Sequence, residues 1–267
     1  MRILTQSILL NKLKHTLIIL MLLAVYDLFA FTQEFEVGPQ IYHLKRSRDG
    51  GTNQNGTLYG ARISYERLKD YGFYFGAFLD AAYGPITGRS GSGYSLSSNF
   101  TDFEAQGLFG YTISCKSRFK AQLTPFIGVG FLEQTNKFKD PSPNVPIQFQ
   151  DDIQYYSCGF LTTSYLNRCW SLGLRIQVKW MYEGKCYVTD DPDPTIGDVT
   201  QIIENKMLFA VDLPISYKLF GQCSRYKITL MPFFQTRHLG GRFNYPVDFT
   251  DTHYVTYGAR LLFDIMF

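Results

Sequence analysis

From residue 35 to the C-terminus the chain alternates apolar and polar side chains with a period of two, the pattern of strands that keep one face in an apolar environment. Two runs are clearest. Leu172, Leu174, Ile176, Val178 and Trp180 stand against Gly173, Arg175, Gln177 and Lys179. Val255, Tyr257, Ala259, Leu261, Phe263, Ile265 and Phe267 stand against Thr256, Gly258, Arg260 and Asp264. The plan recurs at 35–45, 59–66, 71–83, 103–113, 119–131, 209–218 and 226–237. A tenth segment, 151–165, has mixed faces and leaves Tyr156, Cys158 and Phe160 unassigned.

The connections alternate in length. Long loops are predicted at 46–56, with Asp49-Gly50-Gly51, at the Gly/Ser-rich 84–98, around Asp140-Pro141, at 184–203 and through Pro246. The intervening turns at 69–70, 114–118, 167–169 and 220–224 are short. An up-and-down path then collects the long loops at one end and the short turns, with both termini, at the other. Aromatics on the apolar side fall into two levels. Tyr65, Tyr71, Tyr111, Phe119, Tyr165, Trp170, Tyr217, Tyr226 and Phe267 lie beside the short turns, and Tyr59, Tyr83, Phe103, Phe131, Trp180 and Tyr182 near the long loops. Two aromatic levels bracketing aliphatic residues match the two faces of a bilayer. The expected fold is all-β: a ten-stranded antiparallel, up-and-down transmembrane β-barrel over residues 31–267.

The first thirty residues have a different character. Arg2, Lys12 and Lys14 precede an apolar run from Leu17 to Val25, and Ala30 offers a small residue for cleavage, so residues 1–30 are predicted to be a signal peptide. Taking these three bases and Asp27 from the 26 bases and 23 acids leaves 23 and 22. That near-neutral balance gives no reason to expect a nucleic-acid partner.

Thr256, Gly258, Leu261, Phe263 and the terminal Phe267 resemble the C-terminal assembly signal of bacterial outer-membrane β-barrels. With the strand plan, the chain resembles the small bacterial outer-membrane barrels, the broad group of OmpA-like and ten-stranded forms. The resemblance implies outer-membrane lipid as surroundings and the barrel-assembly machinery as partner through the last strand. It also implies periplasmic termini and extracellular long loops.

The polar side of the strands carries Glu36, Glu66, Asp80, Asp102, Glu104, Asp212 and Asp264, opposed by Arg62, Lys120, Arg175, Lys179, Lys218, Lys227, Arg237 and Arg260. Enclosed in a narrow tube these charges pair, so a largely plugged interior is expected, with a narrow porin-like channel for small solutes as the alternative. A structural or surface-interaction role follows, with no cofactor. At the outer rim, Asp191-Pro-Asp193 and Asp251-Thr-His253 resemble the acidic and Asp-His pairs with which omptin proteases activate water, although here they sit on neighbouring loops. His43, His238 and His253 are expected to gather there; no metal site is assigned. Cys115, Cys169 and Cys223 occupy short turns spaced two strands apart, too far to bridge one another, and could cross-link to periplasmic envelope proteins.

Overall fold

The computed structural model describes residues 32–68, 71–115, 121–139, 148–189, 198–203, 207–219, 225–240 and 251–267. The predicted signal peptide, Phe119, Lys120, Asp191, Asp193, Cys223 and the side chain of Cys115 lie outside the described residues. The strands are β1 (Thr32–Arg48), β2 (Thr52–Leu68), β3 (Gly72–Arg89), β4 (Ser95–Cys115), β5 (Ala121–Phe138), β6 (Gln148–Tyr165), β7 (Trp170–Thr189), β8 (Val199–Ile202), β9 (Met207–Asp212), β10 (Ile215–Lys218), β11 (Tyr226–Leu239) and β12 (Thr252–Met266). The pieces β8, β9 and β10 form one wall strand, so the wall has ten, antiparallel in chain order. β1 pairs with β12 and closes the barrel.

Local chemistry explains the irregular places. Pro214 has no N–H to give the ladder and falls between β9 and β10. The wall stays bonded because the Leu213 N–H donates to the Pro232 carbonyl at 2.9 Å and the Gly173 N–H to the Pro214 carbonyl at 2.8 Å. At the closing seam Gly258 faces Tyr42, where a Cβ would lie 2.4 Å from that of Tyr42. Only glycine permits the approach. Gly50 and Gly51, with φ of 93° and 89°, make the turn between β1 and β2.

Over most of its height the barrel is inside-out. Ile63, Leu79, Ile127, Val129, Leu172, Leu230 and Leu261 point outward and are exposed, while charged residues on the alternate positions are buried. Rings of aromatics bound this band. Tyr71, Tyr111, Trp170, Tyr217, Tyr226 and Phe267 mark the short-turn end, and Tyr59, Tyr83, Phe103, Trp180 and Tyr182 the other. Trp170 and Tyr217 lie 4.9 Å apart by ring centroid, and Tyr156 stacks on Tyr182 at 4.4 Å. Hydrocarbon suits such a surface, and closed strands leave it no unpaired backbone.

Beyond the second ring the polarity reverses. Asn55, Thr87, Asn99, Lys137 and Asp152 now face outward, and Leu44, Leu58, Ile86, Phe100, Leu132, Ile153, Val188 and Leu239 fill the interior as a conventional core. Much of what was expected as loop is therefore strand. β1 and β2 meet in a turn at 49–51 rather than a loop at 46–56, β3 runs to Arg89 and β4 begins at Ser95, and β7 runs to Thr189. Strand β6 looked mixed because it crosses this boundary. It keeps Phe149, Ile153 and Tyr155 inside above it and turns Tyr156 and Phe160 outside below it. Opposite, a bulge at Tyr182–Glu183 moves the inward set of β7 from Lys179 and Met181 to Gly184, Cys186 and Val188.

Candidate functional site

The interior is layered by height. Nearest the short turns, Lys227 Nζ lies 2.7 Å from Glu34 Oε2 and 3.3 Å from Asp264 Oδ2, and the Ser64 hydroxyl donates to Glu36 at 2.6 Å. Tyr74, Phe78, Leu108, Phe126 and Leu161 fill the space beside them.

The middle layer is an ion-pair lattice. Arg62 meets Asp80 at 3.0 Å, Arg175 pairs with Glu66 and approaches Asp212 at 3.8 Å, and Lys179 pairs with Glu104. Arg237 meets Asp102 at 2.8 Å and Glu104 at 3.9 Å. Arg260 meets Asp212 at 3.1 Å and Asp80 at 3.4 Å. Five acids thus face five bases, all largely buried. Aromatic faces help to hold them: the Phe78 ring has the guanidinium groups of Arg62 and Arg175 at 4.8 and 4.6 Å, and Phe233 has Arg260 at 3.9 Å. Among the described residues the lattice leaves two neighbouring cavities, each with room for a water-sized body; Asp80, Glu104, Phe233, Gln235 and Arg260 line both.

Above the lattice, Tyr42 donates to Asp102 at 2.7 Å and Tyr155 donates to Glu104, tying it to the apolar cap. A small polar group sits within the cap, beyond the aromatic rings. There Arg46 donates to Gln54 at 2.8 Å and to the Tyr254 hydroxyl at 3.3 Å. Burial holds the Asp151 carboxyl above its ordinary range, against the pull of Cys186, Arg46 and Arg48, and pushes Tyr254 up to about 12.

Of the charges expected inside, Glu36, Arg62, Glu66, Asp80, Asp102, Glu104, Arg175, Lys179, Asp212, Lys227, Arg237, Arg260 and Asp264 take part in these interactions. Lys218 is half-buried at the end of β10, in register with Lys227. Glu34, Arg46 and Asp151 were not expected. Arg46 and Asp151 occupy inward positions of β1 and β6 in stretches where the outward apolar signal had already ceased. On β12, Leu261 and Phe263 face outward, and Phe267, one residue past the strand, is 68% exposed.

The rim residues separate. His238 Nε2 lies 2.9 Å from Asp251 Oδ2, and the His238 and His253 rings stack at 3.9 Å. Asp251 therefore contacts His238, across the β11–β12 hairpin. His43 does not join them, because the register sets it opposite Tyr257 whereas His253 stands opposite Ser47. Among the described residues no group of three or more His, Cys, Asp or Glu is arranged to hold a metal ion. Cys158, Cys169 and Cys186 are free thiols, and Cys186 is buried in the cap.

A family model described as "Domain of unknown function (DUF2715)" matches residues 29–219. No curated protein matches the sequence. Among solved structures, the outer membrane protease OmpT from Escherichia coli is similar over 90% of this chain and 97% of its own, with 10% identity and a TM-score of 0.57. The translocator domain of autotransporter NalP from Neisseria meningitidis is similar over 89% of this chain and 88% of its own, with 7% identity and a TM-score of 0.48. The outer membrane protein OprG from Pseudomonas aeruginosa covers 88% of this chain and 96% of its own, at 11% identity and a TM-score of 0.37. At such identities the OmpT likeness concerns the fold: a closed barrel of outer-membrane type. Matched by the family model over well more than half its length, the chain belongs to the DUF2715 family.

Proposed function

We propose that this protein is a closed outer-membrane barrel of bacteria with a structural or surface-interaction role, not an open pore. On this reading residues 1–30 are removed, the short turns and termini face the periplasm, and the long hairpins face outward. The barrel-assembly machinery receives the chain through β12 and the residue after it, where Leu261, Phe263 and Phe267 meet lipid. The observation that carries the closed reading is the lattice of balanced, buried ion pairs across the barrel, with an apolar cap on its outer side. A hydrated ion would have to break buried pairs and then cross a greasy plug, and both steps are costly.

The test is conductance of the refolded protein in planar bilayers. A flat baseline with rare, brief openings is expected. Sustained unitary steps in the unmodified protein would support the alternative, a narrow channel for small solutes. A rim hydrolase is the second reading, favoured by one contact: Asp251 is placed to orient His238 as a base. That reading needs peptide cleavage that disappears in both Asp251→Asn and His238→Gln.

A further inference from the structure

Above the second aromatic ring, the outer face of β2, β3 and β4 carries a solvent-open hollow of about 420 Å³. Asn55, Thr87, Arg89, Ser95 and Ser97 line it with short amide and hydroxyl groups and one guanidinium, and Gly88 and Leu96 supply apolar wall between them. Arg89 is exposed and has no hydrogen bond or ion pair among the described residues. One residue beyond Ser95, Tyr94 is 53% exposed at the hairpin tip.

The strand charge nearest the hollow is basic. The outward-facing strand side chains of β1 to β4 above the ring include Lys45 and Arg89 and no carboxylate; on β5 Lys137 faces outward at the upper end and Glu133 lower down, level with Phe103. Asp49 lies in the β1–β2 turn and is not part of the lining. The outer face of β6 and β7 differs, with Asp152 and Glu183 beside Lys185. Height matters as well. Asn55 and Thr87 stand four residues above Tyr59 and Tyr83; at about 3.3 Å per residue and about 40° of tilt, that is roughly 10 Å above the ring. A headgroup layer is only about 5–7 Å deep, so the hollow clears phospholipid headgroups.

We infer that this hollow is a docking site for an acidic polysaccharide presented from outside the cell. Sugar hydroxyls both donate and accept, which short Asn, Ser and Thr side chains answer in kind. Arg89 can take a carboxylate in a forked pair, and the exposed Tyr94 ring offers a face for the C–H side of a sugar. An acidic peptide would engage the cation but has less use for the hydroxyl lining. This inference rests on the reading of the long hairpins as an outward contact surface.

The test uses the full mature chain in nanodiscs of zwitterionic lipid. Binding of polygalacturonate, poly-L-glutamate and neutral dextran is measured by interferometry on the parent protein and on Arg89→Ala, Tyr94→Ala and Lys185→Ala. Polygalacturonate is expected to bind the parent tightest. Arg89→Ala should weaken it about tenfold, Tyr94→Ala severalfold, and Lys185→Ala not at all. Equal binding by Arg89→Ala, poly-L-glutamate binding as well as polygalacturonate, or capture that requires acidic lipid in the disc would each overturn the assignment. Maleimide labelling of Ser97→Cys on intact cells tests the outward orientation separately. Labelling without polygalacturonate binding sinks only the glycan site, whereas no labelling sinks the orientation beneath it.

Discussion

Arg260 is the side chain whose removal tests the closed lattice most directly. It meets Asp212 at 3.1 Å and Asp80 at 3.4 Å, donates to Gln40 at 3.1 Å, lies 3.9 Å over Phe233, and lines both internal cavities. Replacement by Ala leaves five acids facing four bases. Breaking a buried pair from one side costs about 3–5 kcal/mol because the remaining charge stays desolvated. The low end of that range is expected, since Asp80 keeps Arg62 at 3.0 Å and Asp212 keeps Arg175 at 3.8 Å. The same change frees space on the order of two waters and joins the two cavities. Denaturant unfolding of the refolded protein in detergent micelles, followed by Trp170 and Trp180 fluorescence, measures the first effect; planar-bilayer current measures the second. Arg260→Met separates them. It keeps most of the volume, so it should lose stability yet remain silent in the bilayer. Adding Asp212→Asn to Arg260→Ala should recover about 1 kcal/mol or more if uncompensated charge is the cause. An Arg260→Ala protein within about 1 kcal/mol of the parent, and equally silent, would refute the idea that these pairs hold the interior shut.

Other outcomes follow from the same geometry. Gly258→Val forces a side chain into the β1–β12 seam and should abolish refolding into the compact, protease-resistant barrel, whereas Gly107→Ala, where an added Cβ meets nothing within 4 Å, should refold normally. Ile127→Arg on the outward face, 65% exposed, should cost about 2–4 kcal/mol in lipid vesicles if the site lies near the membrane midplane, and little if water bathes that surface. Because burial raises the Asp151 carboxyl, its protonated form contributes stability that is complete below the ordinary carboxylate range and fades as pH rises through the raised value. Asp151→Asn should therefore flatten the stability–pH curve across that interval, measured by denaturant midpoints at stepped pH. If the turn thiols join this protein to periplasmic partners, non-reducing gels of intact envelopes will show bands above the monomer that vanish with reductant and weaken in Cys169→Ser.

The sequence was legible wherever lipid supplies the pattern. Leu172 to Trp180 and Val255 to Phe267 alternate cleanly because each second side chain meets hydrocarbon, and the strand number and hairpin order follow from such runs. The charges of the middle lattice were legible for the same reason, as polar residues on positions opposite a greasy face. Partner choice was not. Arg175 reaches Glu66 across 109 residues, and Arg237 reaches Asp102 across 135, so only the closed wall brings them together. The three histidines illustrate the limit at the rim. Their chain order suggested one group, but register displaces His43 by four residues, and a shift of that size is invisible until β1 and β12 are paired.

The upper third of the wall was misread for a reason that also explains its construction. On β2 the apolar positions are odd where Tyr59, Ala61 and Ile63 face lipid, and even where Leu58 faces the cap, although the strand itself never shifts. What changes is the solvent outside: hydrocarbon below the Tyr59–Tyr83 ring and water above it. A barrel wall standing in water must bury apolar side chains inward to be stable, as any soluble domain does. A barrel wall standing in lipid gains nothing from doing so and can line its interior with paired charge. One continuous wall therefore uses two opposite patterns, and reading either alone turns the other into apparent loop. The boundary between them, set by Tyr155 inside and Tyr156 outside on β6, fixes the depth at which the protein sits in the membrane. Moving it is a direct check: Thr101→Leu with Thr135→Leu extends the greasy exterior upward on β4 and β5 and should draw those strands deeper, measured as greater quenching by lipid-borne spin labels of a fluorophore attached at position 99. An unchanged depth would mean that the interior packing, rather than the outer solvent, sets the position of the barrel.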